Sequence, residues 1–220
     1  MKTGTTILAS LEHLCHDRNT IISLAAARAL LRVDSAWTIP QLIPLMLERK
    51  DWSIARLVPM LRGADMPALE RALGQALPAA KGVAVERLLL LAAILPMGSA
   101  SPWAKVVLED PESEGQITAA LRLLHDPRDA PLIRSFLQHP DWQVRVRAIA
   151  ALEPVASTED VPYLLRALED PEWWVRRRAA RTLVRLPFLD DAGIAKLRAK
   201  VQDRFGQDAL AQALDEDKVA

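Results

Sequence analysis

The chain has little of what secreted proteins and most enzymes display. It holds one cysteine, Cys15, in 220 residues, so no internal disulfide can form and a free thiol remains, which fits a reducing compartment such as the cytosol. Neither sign of charge is in excess, with 28 Lys and Arg against 28 Asp and Glu. That balance argues against a protein whose main work is to hold bulk nucleic acid or anionic membrane, although local charge can still matter. Long apolar runs are also missing. The longest, Leu88–Met97, spans ten residues against the roughly 20 that a membrane-spanning helix needs, and Met1–Arg18 carries no secretory pattern. The expectation is a soluble, cytoplasmic chain.

Chemistry is sparse as well. The eight glycines are scattered, and none sits in the strand-to-helix context of a phosphate-binding loop. His13, Cys15 and His16 form the one cluster of ligand-type residues. On a helix the two histidines share a face while the cysteine points away, which leaves two ligands where zinc takes three or four. Cys15 therefore reads as a core residue flanked by two surface histidines. His125 and His139 fall at interhelix turns without a triad partner in register. No catalytic residue, metal site or cofactor is assigned, since enzymes need convergent nucleophiles, bases or ligands.

What is present is repetition. His139-Pro-Asp-Trp-Gln-Val-Arg-Val-Arg-Ala-Ile-Ala-Ala-Leu152 and Asp170-Pro-Glu-Trp-Trp-Val-Arg-Arg-Arg-Ala-Ala-Arg-Thr-Leu183 match at a constant offset of 31 positions. A fixed period of this size marks stacked repeats. In each copy Val, the first Ala and Leu fall at i, i+4 and i+8, the spacing that lines one face of a helix. A shorter helix precedes each copy, opened by Pro131 or Pro162, where a missing N–H costs nothing. Each unit is thus a helical hairpin. Pro40, Pro67, Pro102, Pro131 and Pro162 follow at intervals of 27, 35, 29 and 31, each preceding a leucine-bearing helix. Asp51-Trp-Ser-Ile echoes Asp141-Trp-Gln-Val, so the middle of the chain reads as degenerate repeat rather than linker.

These observations predict one all-α domain over 1–220. It is an α-solenoid of about seven antiparallel helix pairs in a right-handed superhelix, with repeats near 7–33, 37–64, 65–96, 100–127, 128–156, 158–187 and 190–217. Asp17 or Asn19 is expected to cap the second helix. The first pair is apolar for a terminal repeat, as though something packs there.

The Asp-Pro-x-x-x-Val-Arg-x-x-Ala-Ala pattern resembles HEAT repeats, in particular the short bacterial HEAT-like type. Trp173-Trp174-Val175-Arg176 and the tail Asp203–Leu214 are similar to bacterial HEAT-repeat proteins that often carry an amino-terminal membrane anchor. That resemblance implies a longer natural chain in which Met1–Thr6 replaces or follows an anchor, and an association with a membrane complex. The family implies an α-solenoid that binds a partner, and fold alone does not fix which one.

Repeat register divides the arginines. Arg145 and Arg176 match the arginine that HEAT proteins tie to turn aspartates, and with Asp170 they form the expected structural ladder. Arg177, Arg178, Arg181 and Arg185 exceed the pattern. Trp174, Arg178, Arg181 and Arg185 lie on one helical stripe, with Trp173 and Arg177 beside it. One reading is a tryptophan packed between repeats under arginine stems. The other is a binding surface for a protein partner, joined by Trp142 and Trp52 in a line of aromatics.

Three functional classes follow. The preferred one is a non-enzymatic adaptor that binds a protein along its helix row, with no specific nucleic acid expected. The second is a cofactor-handling protein, since phycobilin lyases have similar repeats. The third is a DNA glycosylase of the HEAT-like alkylpurine type, which this chain resembles without a convincing active-site acid.

Overall fold

A computed structural model describes residues 2–95, 97 and 100–217, with side chains from Ile7 onward. Met1 and the border proline Pro96 lie outside the described residues. Fourteen α-helices and no strand occur among the described residues. They form seven successive pairs: α1 Lys2–Cys15 with α2 Thr20–Val33, α3 Ser35–Glu48 with α4 Ile54–Leu61, α5 Met66–Ala76 with α6 Val83–Ile94, α7 Ser101–Glu109 with α8 Glu114–Leu121, α9 Ala130–Ser135 with α10 Trp142–Leu152, α11 Val161–Ala167 with α12 Trp173–Arg185, and α13 Asp191–Arg198 with α14 Arg204–Asp217. The fold is all-α and of the solenoid class. None of these helices is long and apolar enough to cross a membrane.

Turn chemistry sets where the helices begin. Asn19 caps α2 by accepting from the N–H groups of Ile21 and Ile22, while Asp17 in turn accepts from Asn19. Asp34, Asp65, Asp141 and Asp190 cap α3, α5, α10 and α13 in the same way, each satisfying an otherwise orphaned first-turn donor. Pro67, Pro102, Pro131 and Pro162 occupy the first turns of α5, α7, α9 and α11. Pro40 departs from that expectation. It lies inside α3 together with Pro44, because Asp34 accepts from Trp37 N–H at 3.0 Å and starts the helix at Ser35, ahead of the proline.

The chain divides into two compact units, residues 1–123 and 124–220. The first is built around apolar faces of α2 to α6, with Ile39, Met46, Leu57, Leu61, Leu69, Leu73, Leu88 and Leu91 fully enclosed. Trp52 is at its centre with no exposed surface. Its indole N–H donates to Ser23 Oγ at 2.9 Å, and its carbonyl accepts from Arg87, whose guanidinium also holds the Met46 carbonyl. Three successive pairs are joined through this one residue, so Trp52 belongs to the core and to no exposed line of aromatics.

Cys15 ends α1 and is buried, while His13 on the same helix and His16 just past its end face solvent. Burial, reinforced by nearby Glu12 and opposed by Arg49, pushes the Cys15 thiol up to about 11. Only the thiolate reacts readily, so labelling of the native chain by a disulfide reagent at pH 8 is expected to be at least tenfold slower than in denaturant. Equal rates in the two conditions would contradict the packing.

In the second unit, α10 packs on α12 and α12 on α14, giving a row of second helices, while α11 packs beneath α12. Val144, Ala148, Ile149 and Leu152 of α10 are buried, as are Val175, Ala179, Ala180 and Leu183 of α12. The 31-residue period continues into α14, where Gly206 fills the slot of Val144 and Val175. A Cβ added to Gly206 would come within 2.7 Å of the Leu168 carbonyl oxygen and 2.9 Å of Val201 Cγ1. Here α14 approaches the turn residues Leu168 and Val201 too closely for a valine.

The turns of this unit repeat one device three times. Arg145 Nη1 donates to the carbonyls of His139 and Pro140 at 2.8 and 2.9 Å. Arg176 Nη1 donates to those of Asp170 and Pro171 at 2.7 and 2.8 Å. Gln207 Nε2 donates to that of Val201 at 2.8 Å. Each side chain reaches back five or six residues to satisfy carbonyls of the turn before its own helix. A second tie links α9 to the turn before α11, where Arg134 Nε donates to Asp160 Oδ1 at 2.6 Å. Burial alone would raise the Asp160 carboxyl, but hydrogen bonds from Arg134 and Ser157 outweigh it and hold the group below the usual carboxylate range. That contribution is present above the ordinary carboxylate pKa and is lost as pH falls through the lowered value.

Candidate partner-binding face

Helix α12 carries most of the residues singled out from the sequence, and its neighbours decide what each can do. The buried face of Val175, Ala179, Ala180 and Leu183 turns the opposite side outward. On that side Trp173 and Trp174 are 44% and 55% exposed, with ring centroids 4.6 Å apart in an edge-on arrangement. Trp174 is therefore not packed between repeats. Trp142, one repeat earlier, is half-buried. Phe205 occupies the Trp174 slot on α14 and is 65% exposed.

Of the two partners expected for the turn aspartate Asp170, backbone N–H groups or Arg176, it takes the first, and the arginine that reaches it is Arg145. The Asp170 carboxylate is held by Arg145 of the preceding repeat, with Nε to Oδ2 at 2.7 Å and Nη2 to Oδ1 at 2.8 Å. Asp170 Oδ1 also accepts from Glu172 N–H at 2.9 Å. Arg176 takes only backbone carbonyls in this turn, because Val201 stands one period after Asp170 and offers no carboxylate. The Arg176 guanidinium lies over the Phe205 ring instead, 5.3 Å from its centroid. His139, in the Asp170 slot one repeat earlier, preserves part of the aspartate's role: its Nδ1 accepts from Asp141 N–H at 3.1 Å.

The four additional arginines are not equivalent. Arg177 lies over the Trp173 ring at 5.3 Å and pairs with Glu216 of α14 at 3.0 Å. Arg178 Nη2 pairs with Glu153 at 2.8 Å, and the same carboxylate accepts from Thr182 Oγ1 at 3.1 Å. Arg185 reaches Glu153 at 3.7 Å. Arg181 makes no ion pair among the described residues. Burial pulls the Arg178 guanidinium below its usual value, Glu153 opposes that, and the like charges of Arg181 and Arg185 add to it. Its Nε is buried with no acceptor.

Sequence reasoning missed Glu153, Glu216 and Phe205. The signal for two of them lies in the same period: Phe205 is 31 residues after Trp174, and Glu216 is 31 after Arg185. A second concavity in this unit, about 500 Å³, is lined by His139, Arg145, Tyr163, Arg166 and Asp170 among others. The Arg145–Asp170 bridge forms part of its wall. Among the described residues no group of three or more His, Cys, Asp or Glu is placed to hold a metal ion.

HEAT repeats are the family whose model matches, over residues 100–185 and again over 130–216. No curated protein matches the chain. The two matched stretches take in the turn ladder, α12 and α14 and together span more than half of the sequence, and the chain belongs to the HEAT repeat family.

Proposed function

We propose that this protein is a non-enzymatic scaffold that binds a segment of a partner protein along the second-helix row of residues 124–220, with Trp173 and Trp174 as anchors and Trp142, Arg177, Arg178, Arg181 and Arg185 around them. HEAT repeats commonly mediate protein–protein interaction, which supports the class. The observation that carries the site is the pair of exposed tryptophans. An indole left in water forfeits a large apolar burial, and Trp and Arg are the residues most enriched at interaction hot spots. The arginine stems beside them add apolar surface at little ordering cost, since Arg177 is already held by Glu216 and Trp173.

The test is site-specific photocrosslinking in cells of the source organism. A photoreactive residue replacing Trp174 is expected to give a discrete protein adduct, while the same residue at Val106, equally exposed but in the other unit, gives none. Identical adduct patterns from the two positions would sink the proposal.

A further inference from the structure

We infer that the face around α12 takes an acidic segment of its partner, with a carboxylate seated against Arg181, Arg185 and the exposed edge of Arg178, and an aromatic or long apolar residue against Trp173 and Trp174. The inference rests on the scaffold reading and adds the chemistry of the partner.

Charge complementarity is the argument. Along α12, Arg178 and Arg185 converge on a single carboxylate, Glu153. Arg181 stands between them in sequence and has no ion-pair partner among the described residues. Arg181 and Arg185 also line a cleft of about 80 Å³ whose opposite wall is Ala213, Glu216 and Asp217 of α14. Glu216 is engaged by Arg177. Four arginines thus face three carboxylates, two of which are already shared or bound. The like charges of Arg181 and Arg185 press on Arg178, whose buried Nε finds no acceptor. An incoming carboxylate relieves that repulsion and accepts from guanidinium donors that are otherwise only solvated.

The size of the excess selects the partner. One uncompensated positive charge suits one acidic side chain. A nucleic acid presents a charge every few ångströms, far more than a single excess positive charge can match. The adjoining tryptophans make the complementary segment mixed, acidic next to apolar, rather than a plain polyanion.

A fluorescein-labelled random copolymer of Glu and Tyr samples acidic and aromatic side chains at all short spacings and is the probe. Titrated with the full chain and read by fluorescence anisotropy at low salt, it is expected to bind, with the affinity falling at least tenfold between 50 and 300 mM salt. A Lys and Tyr copolymer is expected not to bind. The Arg181→Glu/Arg185→Glu variant should lose at least tenfold and melt near wild type, since Arg181 makes no ion pair among the described residues and the Arg185–Glu153 contact is long, at 3.7 Å. The Trp173→Ala/Trp174→Ala variant should lose a similar factor. Phosphate at 10 mM competing no better than chloride marks the site as one for carboxylates; strong competition marks it as one for phosphorylated side chains of the same acidic partner class. Absence of binding, or binding undiminished by Arg181→Glu/Arg185→Glu, overturns the inference. If the arginine variant binds normally while the tryptophan variant does not, the scaffold face stands and its acidic selectivity falls; if neither variant changes binding, both fall. A labelled thymidine 20-mer binding through the same arginines more tightly than the copolymer also overturns it.

Discussion

Replacing Arg145 by alanine is expected to destabilise residues 124–220 by about 3 kcal/mol, the range seen when one partner of a buried ion pair is removed. Both side chains of the pair are well covered, at 12% exposed for Arg145 and 11% for Asp170. The guanidinium makes four hydrogen bonds: two to the Asp170 carboxylate and two to the carbonyls of His139 and Pro140. Alanine leaves the carboxylate with Glu172 N–H alone and two turn carbonyls without their donor. For a unit of this size that cost corresponds to a fall in melting temperature of about 12 °C, read by far-UV circular dichroism. The double variant Arg145→Met/Asp170→Leu should recover much of the loss, because an apolar pair of similar volume removes the unpaired charge. A melt unchanged by Arg145→Ala would mean the ladder contributes nothing.

Trp52→Ala is the largest single loss expected in residues 1–123, about 4 kcal/mol, from the cavity left by a fully enclosed aromatic. The indole also serves as the donor to the buried Ser23 hydroxyl, which keeps only a 3.3 Å bond to the Thr20 carbonyl when it is gone. The melting temperature of this unit should fall on the order of 15 °C. Trp52→Phe keeps most of the buried area and loses only the N–H, so its penalty should be less than half as large. Equal penalties for the two variants would show that the hydrogen bond, not the packing, holds the site.

The same residue shows what sequence could and could not tell. Trp52 and Trp142 share an Asp-Trp dipeptide in repeat register, which suggested one line of aromatics. Their burial differs because Trp52 is enclosed in the core and tied to Ser23 of α2 and Arg87 of α6, whereas Trp142 on α10 is only partly covered. Helix pairs were legible because proline, turn aspartate and the Val-x-x-x-Ala spacing all act locally. Pro40 misled for a related reason: a proline marks a helix start only when no stronger cap precedes it, and Asp34 does. At the candidate site the tryptophans and arginines were legible as departures from the repeat. Which arginines are free was not, because Glu153 and Glu216 that engage Arg178 and Arg177 come from neighbouring helices 25 and 39 residues away. Arg145 pairing forward with Asp170, instead of Arg176 pairing within its own turn, is also a contact between repeats that no motif within a repeat encodes.

Affinity and stability measured together on Trp173→Ala/Trp174→Ala test the central claim most directly. With the partner identified by crosslinking in hand, the variant should bind at least thirtyfold more weakly, since each hot-spot truncation costs about 2 kcal/mol or more. Its melting temperature should stay within about 3 °C of wild type, because each indole keeps about half of its surface in solvent. Unchanged affinity, or a large fall in melting temperature accompanied by normal binding of the fraction that remains folded, would contradict the assignment of this face to partner binding.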